Sequence, residues 1–248
     1  MNNIVEIKNI SKDFYSKNKI TTAIKDISLD VKDGEFVAIV GPSGCGKSTL
    51  LNILCNLDKP TSGQIILGND AKIGYMLQQD CLFPWLTIFD NCCIGLKIEN
   101  KLTKENKEYV KNLLYTYGLK DFINSYPNSL SGGMRQRVAL IRTLAIKPDI
   151  LLLDEPFSAL DYQSRLAVCD DVYKIIKKEK KTIIMITHDI AEAISMADRI
   201  VILTSRPAMV KKIMNVKLTN SSTPINNRKC AEFSKYYESI WKELDFHV

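Results

Sequence analysis

The chain reads as an α/β domain built around a largely parallel sheet, and three observations predict it. Short β-type runs alternate with helical stretches from one end of the chain to the other. The runs at residues 37–40, 73–77, 150–153, 182–186 and 199–203 are nearly all apolar, as strands covered on both faces must be. A glycine-rich loop follows the first of these runs and leads into an apolar helical stretch, the arrangement by which such sheets present a ligand site.

The remaining elements follow from periodicity. Residues 4–10 and 27–31 alternate apolar and polar positions, as half-exposed antiparallel strands do, and residues 63–67 join them. Between residues 86 and 147 the period becomes helical, with a polar stretch near 100–107 and a turn at 125–128, which predicts a helical insertion. Ser131 is the N-cap of a helix running through Val138, Leu140, Ile141 and Leu144. A second helix covers 165–176, and the lysine-rich run 177–181 reads as a solvated turn. Beyond Ser205-Arg206-Pro207 an extended segment is expected over 209–218, then a polar loop over 219–227. The C-terminal helix carries Phe233, Tyr236, Tyr237, Ile240, Trp241 and Leu244, a stripe expected to pack on the parent domain. The whole chain, 1–248, is read as a single domain, with the insertion at about 86–147 and the C-terminal strand and helix at about 205–248.

Composition excludes several classes. The chain has 248 residues, 46% hydrophobic and 25% charged, which is ordinary for a globular chain large enough to bury a core. No apolar run approaches the ~18 residues that span a bilayer, and the N-terminus lacks an apolar secretion signal. A cytoplasmic protein is expected. Seven cysteines, two of them the tandem Cys92-Cys93, have no C-x-x-C spacing and leave one over, which suits free thiols better than disulfides or zinc. A net charge of +6 is a mild excess and reads as a solvated surface. Histidine chemistry has two candidates, His188 and His247.

Three segments carry chemistry. Gly41-Pro42-Ser43-Gly44-Cys45-Gly46-Lys47-Ser48-Thr49 fits the phosphate-cradling pattern G-x-x-x-x-G-K-[ST]. Its glycines let backbone N–H groups close around phosphate oxygens. Lys47 brings a point charge to the β- and γ-phosphates, and the Ser48 hydroxyl is placed to ligate Mg²⁺. The apolar strand before the loop and the helix after it, with its N-terminal dipole toward the anion, complete the context.

The strand Ile150-Leu151-Leu152-Leu153 ends in Asp154-Glu155. Asp154 stands at the strand's C-terminal edge, where it can hold Mg²⁺ through a water. Glu155, one residue on, points elsewhere and can polarise a water for attack on the γ-phosphorus.

In Leu130-Ser131-Gly132-Gly133-Met134-Arg135-Gln136-Arg137, a hydroxyl, two glycine amides and a helix N-terminus converge on a second anion-binding corner. One nucleotide does not need two such corners in one protomer. The economical reading is that Ser131, Gly132 and Gly133 serve the ATP of a second copy, in a head-to-tail homodimer with nucleotides at its interface.

These motifs, taken together, resemble those of the ATP-binding subunit of an ABC transporter, over essentially the full chain. Residues 41–49 match that family's Walker A, 130–136 its signature motif and 150–155 its Walker B. The resemblance implies that Gln78, in Gly74-Tyr75-Met76-Leu77-Gln78, contacts Mg²⁺ and senses the transmembrane partner. It implies that Ser158-Ala159-Leu160-Asp161 communicates across the dimer as the D-loop. It implies that His188, in Ile186-Thr187-His188-Asp189, hydrogen-bonds the γ-phosphate. Phe14 aligns with the aromatic that stacks on adenine, a role its neighbour Tyr15 is equally placed to take. Preference for ATP over other nucleotides comes from the resemblance, since stacking selects weakly among bases.

Within the family the chain is most similar to importer subunits for nitrate, sulfonate, taurine and related solutes, through Leu82-Phe83-Pro84-Trp85-Leu86-Thr87, residues 134–137 and residues 154–161. Two departures stand out: a short connection at 67–72, and Asn56 where a glycine is common. The resemblance implies a peripheral protein on the inner face of the membrane, driving a separate permease and, through it, serving a solute-binding protein. Residues 78–85 would form the contact, with Pro84 and Trp85 at that surface or with Trp85 merely capping the helical insertion.

Two rival classes fit less well. Chromosome-type relatives need a long coiled coil between phosphate loop and signature, and only about eighty residues without heptads intervene. Translation-type relatives carry two cassettes, so no nucleic-acid partner is expected, although a soluble ATPase acting on nucleic acid or ribosomes is the nearest alternative. A small-molecule kinase would have no use for residues 130–136.

Overall fold

A computed structural model of the chain describes residues 2–17, 19–158, 160–219 and 221–244, and of Asn69 the backbone alone. Ala159 and His247, named above, lie outside the described residues. In chain order the first half forms β1 (Asn3–Ser16), β2 (Lys19–Lys32), β3 (Phe36–Val40), α1 (Lys47–Leu54), β4 (Ser62–Leu67), β5 (Ile73–Met76), α2 (Ile88–Ile98) and α3 (Lys104–Thr116). The second half forms α4 (Gly132–Ala145), β6 (Ile150–Asp154), α5 (Tyr162–Glu179), β7 (Thr182–Thr187), α6 (Ile190–Met196), β8 (Arg199–Leu203), β9 (Val210–Asn215), α7 (Pro224–Asn227) and α8 (Phe233–Glu243). The chain divides into two compact units, Met1–Ala71 with Lys181–Val248, and Lys72–Lys180.

In the first unit β1 lies between β2 and β4 in an antiparallel sheet. The β1–β2 hairpin is longer than the alternation predicts, because pairing continues through Phe14↔Thr21 to Ser16↔Lys19. Register shifts between Ile7 and Asp13 interrupt the two-residue period. Asn9 and Asp26 take left-handed backbone there, at φ 50° and 52°, and the Asn9 amide donates to the Asp26 carboxylate at 2.8 Å. Asn and Asp tolerate that region better than other residues with a Cβ, so the hairpin bends where periodicity fails. Asn56, in the position where a glycine was expected, is likewise left-handed at φ 58°.

The same unit holds β3 between β7 and β8, both parallel to it, with β9 antiparallel on β8. Every residue of β3 and β7 is buried, which is why their sequences are apolar without alternation. The aromatic stripe of α8 meets the expectation of packing on the parent domain only in part, the helix lying against α6. Ile240 and Leu244 are the buried members, whereas Phe233, Tyr237 and Trp241 stack on one another along the helix, and Tyr237 and Trp241 are exposed.

In the second unit β5 pairs in parallel with β6, and α4 packs on β5, α2, α3 and α5. The lysine-rich run is corrected as well. It is not a turn: α5 continues to Glu179, and its left-handed C-cap Lys180 at φ 49° ends it. Lys177 and Lys178 sit in the last turn, where cations favour the helix dipole.

One buried side chain fixes the segment between β5 and α2. Asn91, fully buried, accepts from the Phe83 amide at 2.7 Å and donates to the carbonyls of Phe83, Leu86 and Thr87 at 3.0–3.1 Å. It thereby holds four backbone groups of residues 83–87 and presents Phe83 and Trp85, whose rings pack at 5.4 Å and whose faces remain exposed. Replacing Asn91→Leu leaves those backbone groups without a buried partner. Unfolding free energy from urea melts is expected to fall by about 2–4 kcal/mol; a change under about 0.5 kcal/mol would refute the anchoring role.

Candidate nucleotide site

The glycine-rich loop lies between β3, buried throughout, and α1, which buries Leu50, Leu51, Ile53 and Leu54. Gly46 is the N-cap of α1 with φ 133°, and a Cβ there would meet the Ala23 carbonyl oxygen at 2.8 Å. Only glycine meets both demands. Lys47 is 5% exposed, and its ammonium donates to the carbonyls of Gly41 at 2.8 Å and Pro42 at 2.9 Å. The cation is therefore held inside the loop by two acceptors. Ser48, exposed, follows in the first turn of α1, where the amides have no carbonyl of their own helix to bond. Cys45 is buried beneath the loop, and burial pushes its thiol pKa up, so it packs as a small apolar group.

Arg206 was not singled out in the sequence, yet its guanidinium donates to the Gly44 carbonyl at 2.6 and 3.2 Å. It braces the tip of the loop from the connection between β8 and β9. Arg206 itself belongs to no local motif.

His188 sits at the end of β7, exposed, at the turn into α6. The turn is fixed by its neighbours. The Thr187 hydroxyl donates to buried Glu192 at 2.6 Å and accepts from the Asp189 amide at 3.0 Å. The Asp189 carboxylate caps α6 by accepting from the amides of Ala191 and Glu192. Phe14 is 45% and Tyr15 70% exposed, and the Lys12 ammonium stands 5.1 Å from the Phe14 ring centre, a cation–π contact.

In the second unit Asp154 ends β6, 6% exposed, and accepts from the Tyr75 hydroxyl at 3.2 Å. Glu155 accepts from the Gln78 side-chain amide at 3.1 Å, and that same amide lies 3.4 Å from the Ser158 hydroxyl. Ser158 in turn donates to the Glu155 carbonyl at 3.0 Å. The pairing of β5 with β6 thus brings together Gln78, Asp154, Glu155 and Ser158 from segments about eighty residues apart. Asp161, the N-cap of α5, accepts from the Ser164 amide at 3.0 Å. Hydrogen bonds from the Ser164 side chain and amide hold its carboxyl below the ordinary carboxylate range.

Ser131 is the N-cap of α4 as the sequence predicts, exposed, and accepts from the Met134 amide at 3.3 Å. Gly133 lets α4 approach α5, since a Cβ there would meet Val168 Cγ2 at 2.8 Å. Tyr75 and Ser158 are further contributors that motif reading did not assign a role at the carboxylates; neither residue type announces one in sequence.

The family model described as ABC transporter matches residues 24–158. The nitrate import ATP-binding protein NrtD of Synechocystis is 39% identical over 95% of this chain and 93% of its own. The aliphatic sulfonates import ATP-binding protein SsuB of Bacillus anthracis is 39% identical over 97% and 96%. The dimeric post-hydrolysis structure of the ATP-binding cassette MJ0796, bound to ADP and Pi, superimposes with a TM-score of 0.72 at 35% identity, covering 86% of this chain and 99% of that one. With its phosphate loop, its paired carboxylates and its capped Ser-Gly-Gly helix in place, this chain belongs to the ABC transporter family as an ATP-binding, ATP-hydrolysing subunit.

Proposed function

We propose that residues 1–248 work as one nucleotide-binding domain of an importer, closing as a head-to-tail homodimer on ATP and reopening after hydrolysis. The observation that carries this reading is Ser131. It stands exposed at a helix N-terminus, in a chain whose own phosphate loop already provides an anion cradle. Dimerisation lets Ser131 and Gly133 of one copy serve the triphosphate of the other, and the dimeric cassette of similar fold supports it.

The chemistry divides among the residues as follows. Gly41, Pro42, Ser43, Gly44, Cys45, Gly46 and Thr49 shape the cradle, and Lys47 neutralises the β- and γ-phosphates. Phe14 or Tyr15 stacks on adenine. Glu155 takes a proton from the attacking water, while His188 hydrogen-bonds the γ-phosphate. The donor set suits Mg²⁺: Ser48, Gln78 and Asp154 offer hard oxygens. When bound, Mg²⁺ supplies charge neutralisation at the phosphate oxygens. Glu155 and Gln78 already share a hydrogen bond, so a base and its neighbour are held in fixed relation.

Among the described residues no helix is long and apolar enough to cross a membrane. A separate permease is the proposed partner, placing this chain at the inner membrane face. Residues 78–85 are the proposed contact, because Asn91 presents Trp85 at 70% exposure beside Phe83. The proposed cargo is a small solute such as nitrate, a sulfonate or taurine, delivered by a solute-binding protein. The first two appear in the names of relatives about 39% identical to this chain.

Glu155→Gln is expected to keep ATP affinity and slow steady-state hydrolysis ~10²-fold or more; turnover at the unsubstituted rate would exclude Glu155 as the base. With ATP present, the same variant should elute as a dimer in size-exclusion chromatography, and a persistent monomer would remove the role of Ser131 across the interface. Lys47→Ala is expected to weaken ATP binding about tenfold or more in calorimetry. Unchanged affinity would count against the phosphate-loop assignment.

A further inference from the structure

Gln78 and Ser131 are assigned above to different steps, and they lie more than fifty residues apart in sequence. Within the second unit they are joined by two short polar links. The Asp80 carboxylate, two residues beyond Gln78, accepts from Arg135 Nε at 3.0 Å. Arg135 Nη1 donates at 2.8 Å to the carbonyl of Leu130, the residue before Ser131. One guanidinium therefore spans from the glutamine loop to the lead-in of the Ser-Gly-Gly corner. A planar fork with donors on separate nitrogens can do this, where a lysine ammonium is a single point.

A second arginine clamps the same loop from farther along α4. Arg142 Nη2 donates to the Asp80 carbonyl at 2.6 Å and Nη1 to the Cys81 carbonyl at 2.7 Å. Cys81 holds a left-handed backbone at φ 45°, a conformation that costs a residue with a Cβ and persists when its surroundings impose it. Asp80 closes the turn itself, its other carboxylate oxygen accepting from the Leu82 amide at 3.2 Å. Four donor contacts from two arginines of one helix thus converge on Asp80, Cys81 and Leu130.

We propose that Arg135, Arg142 and Asp80 are positioning residues that lock the glutamine loop to the Ser131 corner, so that the two move as one body. The inference rests on the proposed roles of Gln78 and Ser131 for its consequence. A displacement of the loop, whether imposed by nucleotide on Gln78 or by a permease on residues 82–85, then displaces the corner that reaches the second copy. The reverse also holds, as coupling free energies are reciprocal. Asp80→Asn keeps the acceptor for the Leu82 amide and removes the ion pair, so it separates turn formation from bridging.

The test uses the full chain with Asp80→Asn, Arg135→Gln and both together. Amide hydrogen exchange read by mass spectrometry should rise about tenfold in peptides spanning 79–82 and 130–134 together, in either single variant. The double variant should show no more than either single. Faster exchange confined to the residue's own segment, or effects that multiply in the double variant, would overturn the bridge. In the Glu155→Gln background, Arg135→Gln should weaken ATP-driven dimerisation about tenfold in sedimentation, with binding of a fluorescent ATP analogue to the monomer unchanged. An unchanged dimer affinity would also overturn the proposal. If Glu155→Gln alone fails to dimerise, the dimer reading falls, and the exchange experiment still decides the bridge.

Discussion

The structure depends on one constraint: strands buried on both faces have no room for polar side chains, so polar function is pushed to their ends. β3, β6 and β7 are buried throughout and apolar between their ends. Each gives way at its C-terminal end to residues with charge or hydroxyl: the phosphate loop after β3, Asp154 and Glu155 at the end of β6, Thr187 and His188 at the end of β7. A helix that begins there brings amides without carbonyl partners, which demand an acceptor. Asp189 supplies it at α6, whereas at α1 the N-cap is Gly46, which has no side chain to give. That contrast supports the proposal that α1 keeps its amides for an outside anion.

Legibility in the sequence followed the same division. The core strands were visible because burial on two faces leaves only apolar residue types, and their bounds were met within a residue or two. The caps Ser131 and the motif residues Lys47, Ser48, Asp154 and Glu155 were visible because each needs a particular side chain at a particular spacing. What stayed hidden was carried by geometry. The full length of the β1–β2 hairpin escaped because bulges at Asn9 and Asp26 break the alternation. The length of α5 escaped because a lysine cluster is as compatible with a last helical turn as with a loop. The α8 stripe misled because spacing shows that aromatics share a face, and not whether another element covers it. Arg206 reaches the Gly44 carbonyl across the chain, the Asp80–Arg135 ion pair joins two separate segments, and Asn91 holds the backbone of the loop before its own helix, contacts that no residue spacing announces.

Adjacent carboxylates raise a final physical question: how two neighbours in one chain, Asp154 and Glu155, can meet the separate tasks proposed for them. Placed side by side in like surroundings, two carboxylates would repel one another. Backbone geometry turns them apart here. Asp154 is the last residue of β6, and Glu155 turns out of the strand at φ 43°. Left-handed backbone at a residue with a Cβ costs of order 1–2 kcal/mol, and the surrounding hydrogen bonds hold it. Gln78 takes the Glu155 carboxylate and Ser158 its carbonyl, while Tyr75 takes Asp154. Tyr75 and Gln78 come from β5 and the residues just after it, so a single neighbouring segment draws the two acids onto different donors. The left-handed turn at Glu155 thus separates a buried acid from a turned-out one, the difference on which the proposed metal and water roles rest.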